Sequence, residues 1–315
     1  MGLEDLQPEG TEERRRETVK ILITGCRGQL GTEIQKQLRE MSSPVAEIPE
    51  IYRNAQITAI DIDTLDLSDR SAVNAFFEGK DYDLVINCAA MTNVDGCESD
   101  FETAFKANAL APRYLAEAAE RIGAKLVHVS TDYVFSGDAE TPRTEADATI
   151  PVSAYGKSKL AGENYVRETC SRYFIVRTAW LYGYNGKNFV RTIINAAKKY
   201  GKVRVVNDQL GNPTSAVDLA TAILRIGATE YYGIYHGTNN GNCTWYDFTC
   251  EIFRLAGIDA ECTPCTSEEY GSVTKRPAYS ALDNLMMRCT VGDCMRPWQD
   301  AIREYITTLT EKGEL

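Results

Sequence analysis

Histidine is nearly missing from this 315-residue chain, which has only His128 and His236. His128 falls inside an apolar, strand-like run, where an imidazole reads as a satisfied core residue rather than a ligand or a catalyst. Long apolar runs are missing too. None approaches the roughly 18 residues that a membrane-crossing helix needs, so no membrane partner is expected. The opening stretch MGLEDLQPEGTEERRRETVK lacks an apolar centre, which argues against a secretory signal. Residues 1–18 read as a solvated, flexible N-terminal extension. Positive charge is short as well: 34 Lys and Arg against 45 Asp and Glu leave a net charge of −11. A general nucleic-acid binder needs a basic surface to displace counterions, and that class is excluded. A small phosphorylated ligand is not, because backbone amides and one or two cations are enough to hold it.

Cysteine, by contrast, occurs ten times. Cys262/Cys265 and Cys289/Cys294 form two close pairs that could supply four thiolates. The second spacing is loose and no finger-like pattern surrounds it, so reduced thiols in the cytoplasm are expected and no metal is assigned. Cys88, within an apolar run, reads as a small core hydrophobe.

The first half alternates apolar runs with amphipathic ones. Strands are predicted at 19–25, 55–62, 83–90, 124–135 and 173–183, each rich in Val, Ile and Leu. Helices are predicted from 29, over 68–80 with Ser68 as N-cap, over 104–123 with Pro112 at a start or kink, and after Ser153. This alternation predicts parallel pairing with crossover helices on both faces: an α/β fold with a Rossmann-like, doubly wound parallel sheet. Beyond residue 183 the pattern is less regular. Helices are predicted at 188–201, 216–228, 244–257 and 297–310, strands at 203–209 and 233–238, and a loop over 263–284. The reading is therefore a dinucleotide-binding domain over 19–182. Residues 183–315 make a smaller, mainly substrate-binding C-terminal lobe, with some segments returning to the first domain.

Three stretches carry chemistry. The first strand runs into TGCRGQLG, where Gly25, Gly28 and Gly31 permit a tight turn and the close approach of backbone amides to a pyrophosphate. Strand, turn, helix and second strand follow in the order that a dinucleotide site requires. Asp61, at the tip of the second strand, either accepts the adenosine ribose hydroxyls, which favours NADH over NADPH, or caps the next turn. No arginine follows it to receive a 2′-phosphate. Asp66 and Leu67 are placed near the adenine.

The second stretch is SAYGKSKLAGE, with Tyr155 and Lys159 one helical turn apart on one face. A free phenol has a pKa near 10, and a nearby ammonium favours its ionised form. The pair is thus an acid/base device for carbonyl reduction or alcohol oxidation, with the ammonium also free to hold the nicotinamide ribose. The third stretch is HVSTDYVF, where Thr131 or Ser130 offers a hydroxyl at the carboxyl end of the fourth strand, where open α/β sheets gather ligands.

Together these three elements resemble the extended short-chain dehydrogenase/reductase superfamily. GQLG, NCAAMTNVDGCE, HVSTDYVFSGD, SAYGKSKLAGE, RTAWLYG, VVNDQLGNPT and KRPAYSALDN further resemble the dTDP-4-dehydrorhamnose reductase family, across nearly all of 19–310. That resemblance implies reduction of the 4-keto group of dTDP-4-dehydro-L-rhamnose by NADPH or NADH, in a cytoplasmic monomer or homodimer. It implies Thr131, Tyr155 and Lys159 as the catalytic set, and Gly25, Gly28, Gln29, Leu30 and Gly31 around the pyrophosphate. Ala89, Ala90 and Thr92 would lie beneath the cofactor. Asp132, Tyr133 and Trp180 would lie near the sugar, although Trp180 reads equally as core. Asn188, Asn212 and Arg276 would face the nucleotide, Arg276 as the cation for the diphosphate. Some members of the family hold Mg²⁺ through glutamates at a dimer interface. Glu33 matches one of these, but Val217-Asp218 stand where another is expected. Two other functions share the scaffold: a nucleotide-sugar epimerase or dehydratase, and a regulatory subunit resembling methionine adenosyltransferase β.

Overall fold

The computed structural model describes residues 18–271 and 274–315. The predicted N-terminal extension therefore lies outside the described residues, apart from its last position. The first half forms β1 (Lys20–Thr24), α1 (Gln29–Glu40), β2 (Gln56–Ile60), α2 (Arg70–Phe77), β3 (Leu84–Asn87) and α3 (Val94–Ser99). It continues through α4 (Phe101–Phe105), α5 (Ala111–Ile122), β4 (Lys125–Thr131), α6 (Ala154–Thr169) and β5 (Tyr173–Thr178). The second half begins with β6 (Leu181–Tyr182), α7 (Phe189–Tyr200), β7 (Lys202–Val206), β8 (Leu210–Gly211), β9 (Thr214–Ser215) and α8 (Ala216–Gly227). It ends with β10 (Gly233–His236), β11 (Cys243–Thr244), α9 (Trp245–Ala256), β12 (Glu261–Cys265), α10 (Ser267–Tyr270), α11 (Leu285–Thr290) and α12 (Trp298–Glu311).

Six parallel strands build the main sheet in the order β2-β1-β3-β4-β5-β10. Its central strands are buried on both faces, which is why they read as continuous apolar runs instead of alternating ones. On one face α1 and α8 pack Ile34, Leu38, Leu219 and Ile223 over Ile21, Ile86 and Val176. On the other, Val73, Leu115 and Val166 cover Leu22, Val85 and Ile175. A third core joins α7, α9 and α12 through Ile194, Phe248, Ile252 and Ile302. The strand order reverses direction between β1 and β3, and ligands gather in such a crevice.

Four local expectations change. Asp69, not Ser68, caps α2, because Asp66 engages both the Ser68 N–H and its hydroxyl. The helix predicted over 104–123 is interrupted by a π-helical turn at Lys106–Leu110. Pro112 has no N–H to give the Asn108 carbonyl, so a regular ladder cannot cross this point. The strand predicted over 173–183 breaks into β5 and β6 at Trp180, whose φ is 48°. Finally, the segment read as a loop from 263 begins inside β12, which pairs in parallel with β7, and goes on into α10.

The second face of the sheet holds one fully buried ion pair. Arg177 of β5 donates to Glu163 of α6 at 2.7 Å, with side chains 3% and 1% exposed. Removing one partner strands a desolvated charge. Glu163→Gln is expected to lower unfolding stability in urea by about 3–5 kcal/mol, and an unchanged midpoint would show that the pair is dispensable.

Candidate active site

The site is built on α6. Ser153 caps that helix by accepting the Gly156 N–H at 3.1 Å, which fixes where its first turn begins. A Cβ on Gly156 would stand 2.1 Å from the Tyr133 carbonyl oxygen, so only glycine lets the helix start this close to the end of β4. Tyr155 and Lys159 follow on one face and line the same cavity as Thr131. The Lys159 ammonium, 2% exposed, donates to the Val129 carbonyl at 2.7 Å.

Thr131, the last residue of β4, donates its hydroxyl proton to Asp132 at 2.9 Å and accepts the Tyr133 N–H at 3.2 Å. The Tyr155 phenol lies within hydrogen-bonding reach of the same hydroxyl. Tyr133 packs edge-on against the Tyr155 ring, with centroids 5.4 Å apart.

Burial dominates the electrostatics. It holds the Lys159 ammonium down to about 8, against an upward pull from Glu163. It pushes Asp132 up to about 6. It also pushes the Tyr155 phenol above its ordinary value, with Thr131 opposing. This corrects the expectation that Lys159 lowers Tyr155: in the free protein the lysine is turned to Val129, and desolvation decides the shift.

Two cavities meet at the glycine turn. One, of about 670 Å³, is lined by Gly25, Gly28, Asp61, Asp66, Leu67, Ala89 and Ala90. The other, of about 590 Å³, is lined by Gly25, Gly28, Gln29, Leu30, Gly31, Ala90 and Thr92, with Thr131, Asp132, Tyr133, Tyr155, Lys159 and Trp180. No side chain caps the first turn of α1 at Gly28, leaving its amides and positive dipole end to an anion. The two spaces thus fit the adenosine and nicotinamide halves of a dinucleotide, with its pyrophosphate at the shared wall. Asp61 also caps the turn: its carboxylate accepts the N–H groups of Arg27 and Ile62, at 3.0 and 2.9 Å.

Other predicted positions fall elsewhere. Asn188 caps α7 and donates to Gln29, the Gly183 carbonyl and Tyr305, behind the cavity wall. Asn212 donates to the Gly241 carbonyl and accepts the Leu282 N–H. Both side chains hold loops in the free protein. Arg276 lies close enough to Tyr133 to act on its phenol, and its Nε is buried without a partner. All ten cysteines are free, and among the described residues no three His, Cys, Asp or Glu side chains gather as a metal site.

Several residues escaped the sequence reading. Trp245, the first residue of α9, stacks on Trp180 with centroids 3.6 Å apart and planes 8° from parallel, and both line the second cavity with Lys187. Asn87 accepts the Thr24 hydroxyl at 2.7 Å and the Ala89 N–H at 3.1 Å, so its amide nitrogen is left to donate to His128 Nδ1 at 3.0 Å. His128 is a core residue, as expected, but one that ties three strand ends together beneath the turn. Asn108, in the π-helical turn, bridges Met91 and Ser158. A mid-helix asparagine before a proline was the one signal for it.

A doubly wound sheet with a glycine turn after β1, and a Tyr-x-x-x-Lys helix facing a threonine at the end of β4, defines the extended short-chain dehydrogenase/reductase class. Residues 19–311 match the model of the RmlD substrate binding domain, and the chain belongs to that family. A Bacillus subtilis spore coat polysaccharide biosynthesis protein, SpsK, is 39% identical over 91% of this chain and 96% of its own. A Streptomyces griseus dTDP-4-dehydrorhamnose reductase is also 39% identical, over 91% and 93%. Among solved structures, a dTDP-4-dehydrorhamnose reductase from Clostridium acetobutylicum superimposes with a TM-score of 0.87 at 50% identity, covering 93% of this chain and 100% of that one. One from Bacillus anthracis, in complex with NADP, gives 0.85 at 37% identity, covering 92% and 99%.

The raised phenol has an optical consequence. An ultraviolet difference titration of wild type against Tyr155→Phe is expected to show no tyrosinate from this residue below pH 10. A transition near pH 7 would show that Lys159 acts on the phenol in the free protein.

Proposed function

We propose that this protein reduces the 4-keto group of dTDP-4-dehydro-L-rhamnose to give dTDP-L-rhamnose, with NADPH or NADH as reductant. The observation that carries this reading is the convergence of Thr131, Tyr155 and Lys159 on the cavity that begins at the glycine turn. Full-length similarity to reductases named for dTDP-4-dehydrorhamnose supports the choice of substrate. No helix among the described residues is long and apolar enough to cross a membrane.

A bound reduced nicotinamide supplies a hydride to the carbonyl carbon. Gly25, Gly28 and the open first turn of α1 hold the pyrophosphate; Ala89, Ala90 and Thr92 line the wall beneath. Lys159 keeps one N–H on Val129, with its remaining donors free for the nicotinamide ribose. Tyr155, protonated throughout the neutral range, donates its phenolic proton to the 4-oxygen as the carbon is reduced, and recovers a proton from solvent afterwards. The Thr131 hydroxyl, turned from Asp132, donates a hydrogen bond to that same oxygen. The flat wall of Trp180 and Trp245 excludes water from the sugar face, and Arg276 with Lys187 supplies positive charge for the substrate diphosphate.

Loss of nicotinamide absorbance with enzymatically generated dTDP-4-dehydro-L-rhamnose tests the reading. Tyr155→Phe is expected to lower turnover about 100-fold or more while retaining cofactor binding. Near-normal turnover in that variant would remove Tyr155 from the chemistry. Tight cofactor binding without oxidation in wild type would point to the regulatory-subunit alternative.

A further inference from the structure

The proposed reduction leaves Asp95 without a task, although it follows Val94, which lines the reaction cavity. Its carboxylate accepts the Thr274 hydroxyl at 2.6 Å, across 179 residues of chain. Thr274 is 5% exposed, and the distance is that of a hydroxyl bonded to a charged acceptor. Arg276 stands two residues further on. On the far side of Arg276 the chain is fixed by its backbone. The Tyr279 N–H donates to the Gly137 carbonyl at 3.0 Å, and the Ser280 N–H to the Leu210 carbonyl at 2.8 Å. Pro277 packs so closely that a Cβ on Gly137 would stand 2.4 Å from its own Cβ. On the near side, the anchor is Thr274 on Asp95. Arg276 is thus strung between two fixed points, one on the loop after β4 and one on α3. Asp95 and Arg276 act on the Tyr133 phenol in opposite senses, which places both charges beside a ring of the reaction cavity.

We propose that Asp95 is a positioning residue: through Thr274 it holds Arg276 where the substrate diphosphate must lie. This rests on the reductase reading above, which gives Arg276 its ligand. A guanidinium fork recognises phosphate through paired hydrogen bonds, so its angle matters as much as its distance. A long arginine side chain loses much rotamer freedom when it is fixed, and more if its backbone must be ordered at the same time. Anchoring the backbone on both sides settles part of that cost during folding, and less of it is then taken from binding. Arg276 Nε is buried with no partner among the described residues, and such a donor has most to gain from an incoming acceptor. Asp95 itself would repel a diphosphate. Its effect therefore runs through the bond to Thr274 and the short chain to Arg276. That bond needs an acceptor at Asp95, not a charge, so an amide oxygen serves as well.

Calorimetric titration of the full chain with dTDP, in the presence of NADPH, reads this role directly. Asp95→Ala and Thr274→Val are each expected to weaken dTDP binding about 10-fold, with NADPH affinity unchanged in a separate titration. Asp95→Asn keeps the acceptor and Thr274→Ser keeps the hydroxyl, and both are expected to bind dTDP as wild type does. In an Arg276→Ala background, Asp95→Ala is expected to cost nothing further, because its effect runs through that side chain. In turnover, Asp95→Ala is expected to raise KM for the sugar nucleotide more than it lowers kcat. Additive losses in the double variant would overturn the proposal, as would an Arg276→Ala variant that binds dTDP normally. Asp95→Asn as damaging as Asp95→Ala would overturn it too, by assigning the effect to charge. An equal loss of NADPH binding in Asp95→Ala would mark the residue as merely structural. Wild-type protein that binds NADPH but not dTDP would overturn the choice of substrate, and this inference with it.

Discussion

The depth to which α6 sinks against the carboxyl end of the sheet governs the rest of the site. Two carbonyls limit that depth. A Cβ at Gly156 would stand 2.1 Å from the Tyr133 oxygen, and one at Gly162 would stand 2.2 Å from the Asn108 oxygen. Pro112 is what frees the Asn108 carbonyl from its ladder, so the π-helical turn and the glycine are two halves of one contact. With the helix this deep, Lys159 reaches the Val129 carbonyl, Glu163 reaches Arg177, and Tyr155 comes to line the same cavity as Thr131. The same proximity depresses the lysine and raises the phenol. Geometry and protonation state have a single origin.

That origin also explains why a polar set can be buried here at all. Three contacts below the turn link the strand ends: Thr24 on Asn87, Asn87 on His128, and Thr131 on Asp132. Directional bonds of this kind stiffen the strand ends. Asp132 keeps both of its oxygens out of solvent beside the Thr131 hydroxyl, which donates to one of them.

Much of this was legible in the sequence, for identifiable reasons. A parallel sheet buried on both faces writes itself as Val/Ile/Leu runs, so β1, β3, β4 and β5 stood out. Tyr155, Lys159, Thr131 and the three glycines belong to short local patterns, where spacing alone carries the geometry. What escaped depends on the meeting of distant segments. Asn188 and Asn212 have the chemistry of ligands, yet loop carbonyls claim them. Trp245 is an unremarked aromatic until the fold lays it on Trp180. The expected influence of Lys159 on Tyr155 rested on helical spacing and could not anticipate the pull of a carbonyl on the neighbouring strand.

The stacked tryptophans give the molecule a reporter of its own state. The chain has three tryptophans. Trp298 is buried edge-on against Phe248 in the third core, remote from the chemistry, while Trp180 and Trp245 form one wall of the reaction cavity. Two of the three indoles therefore sense the same few ångströms of space. Trp180 holds its place with a left-handed backbone, a conformation that persists only while its surroundings enforce it. Intrinsic emission thus reads chiefly the sugar pocket, whose filling changes the polarity around both rings, and only weakly the adenosine half of the cofactor.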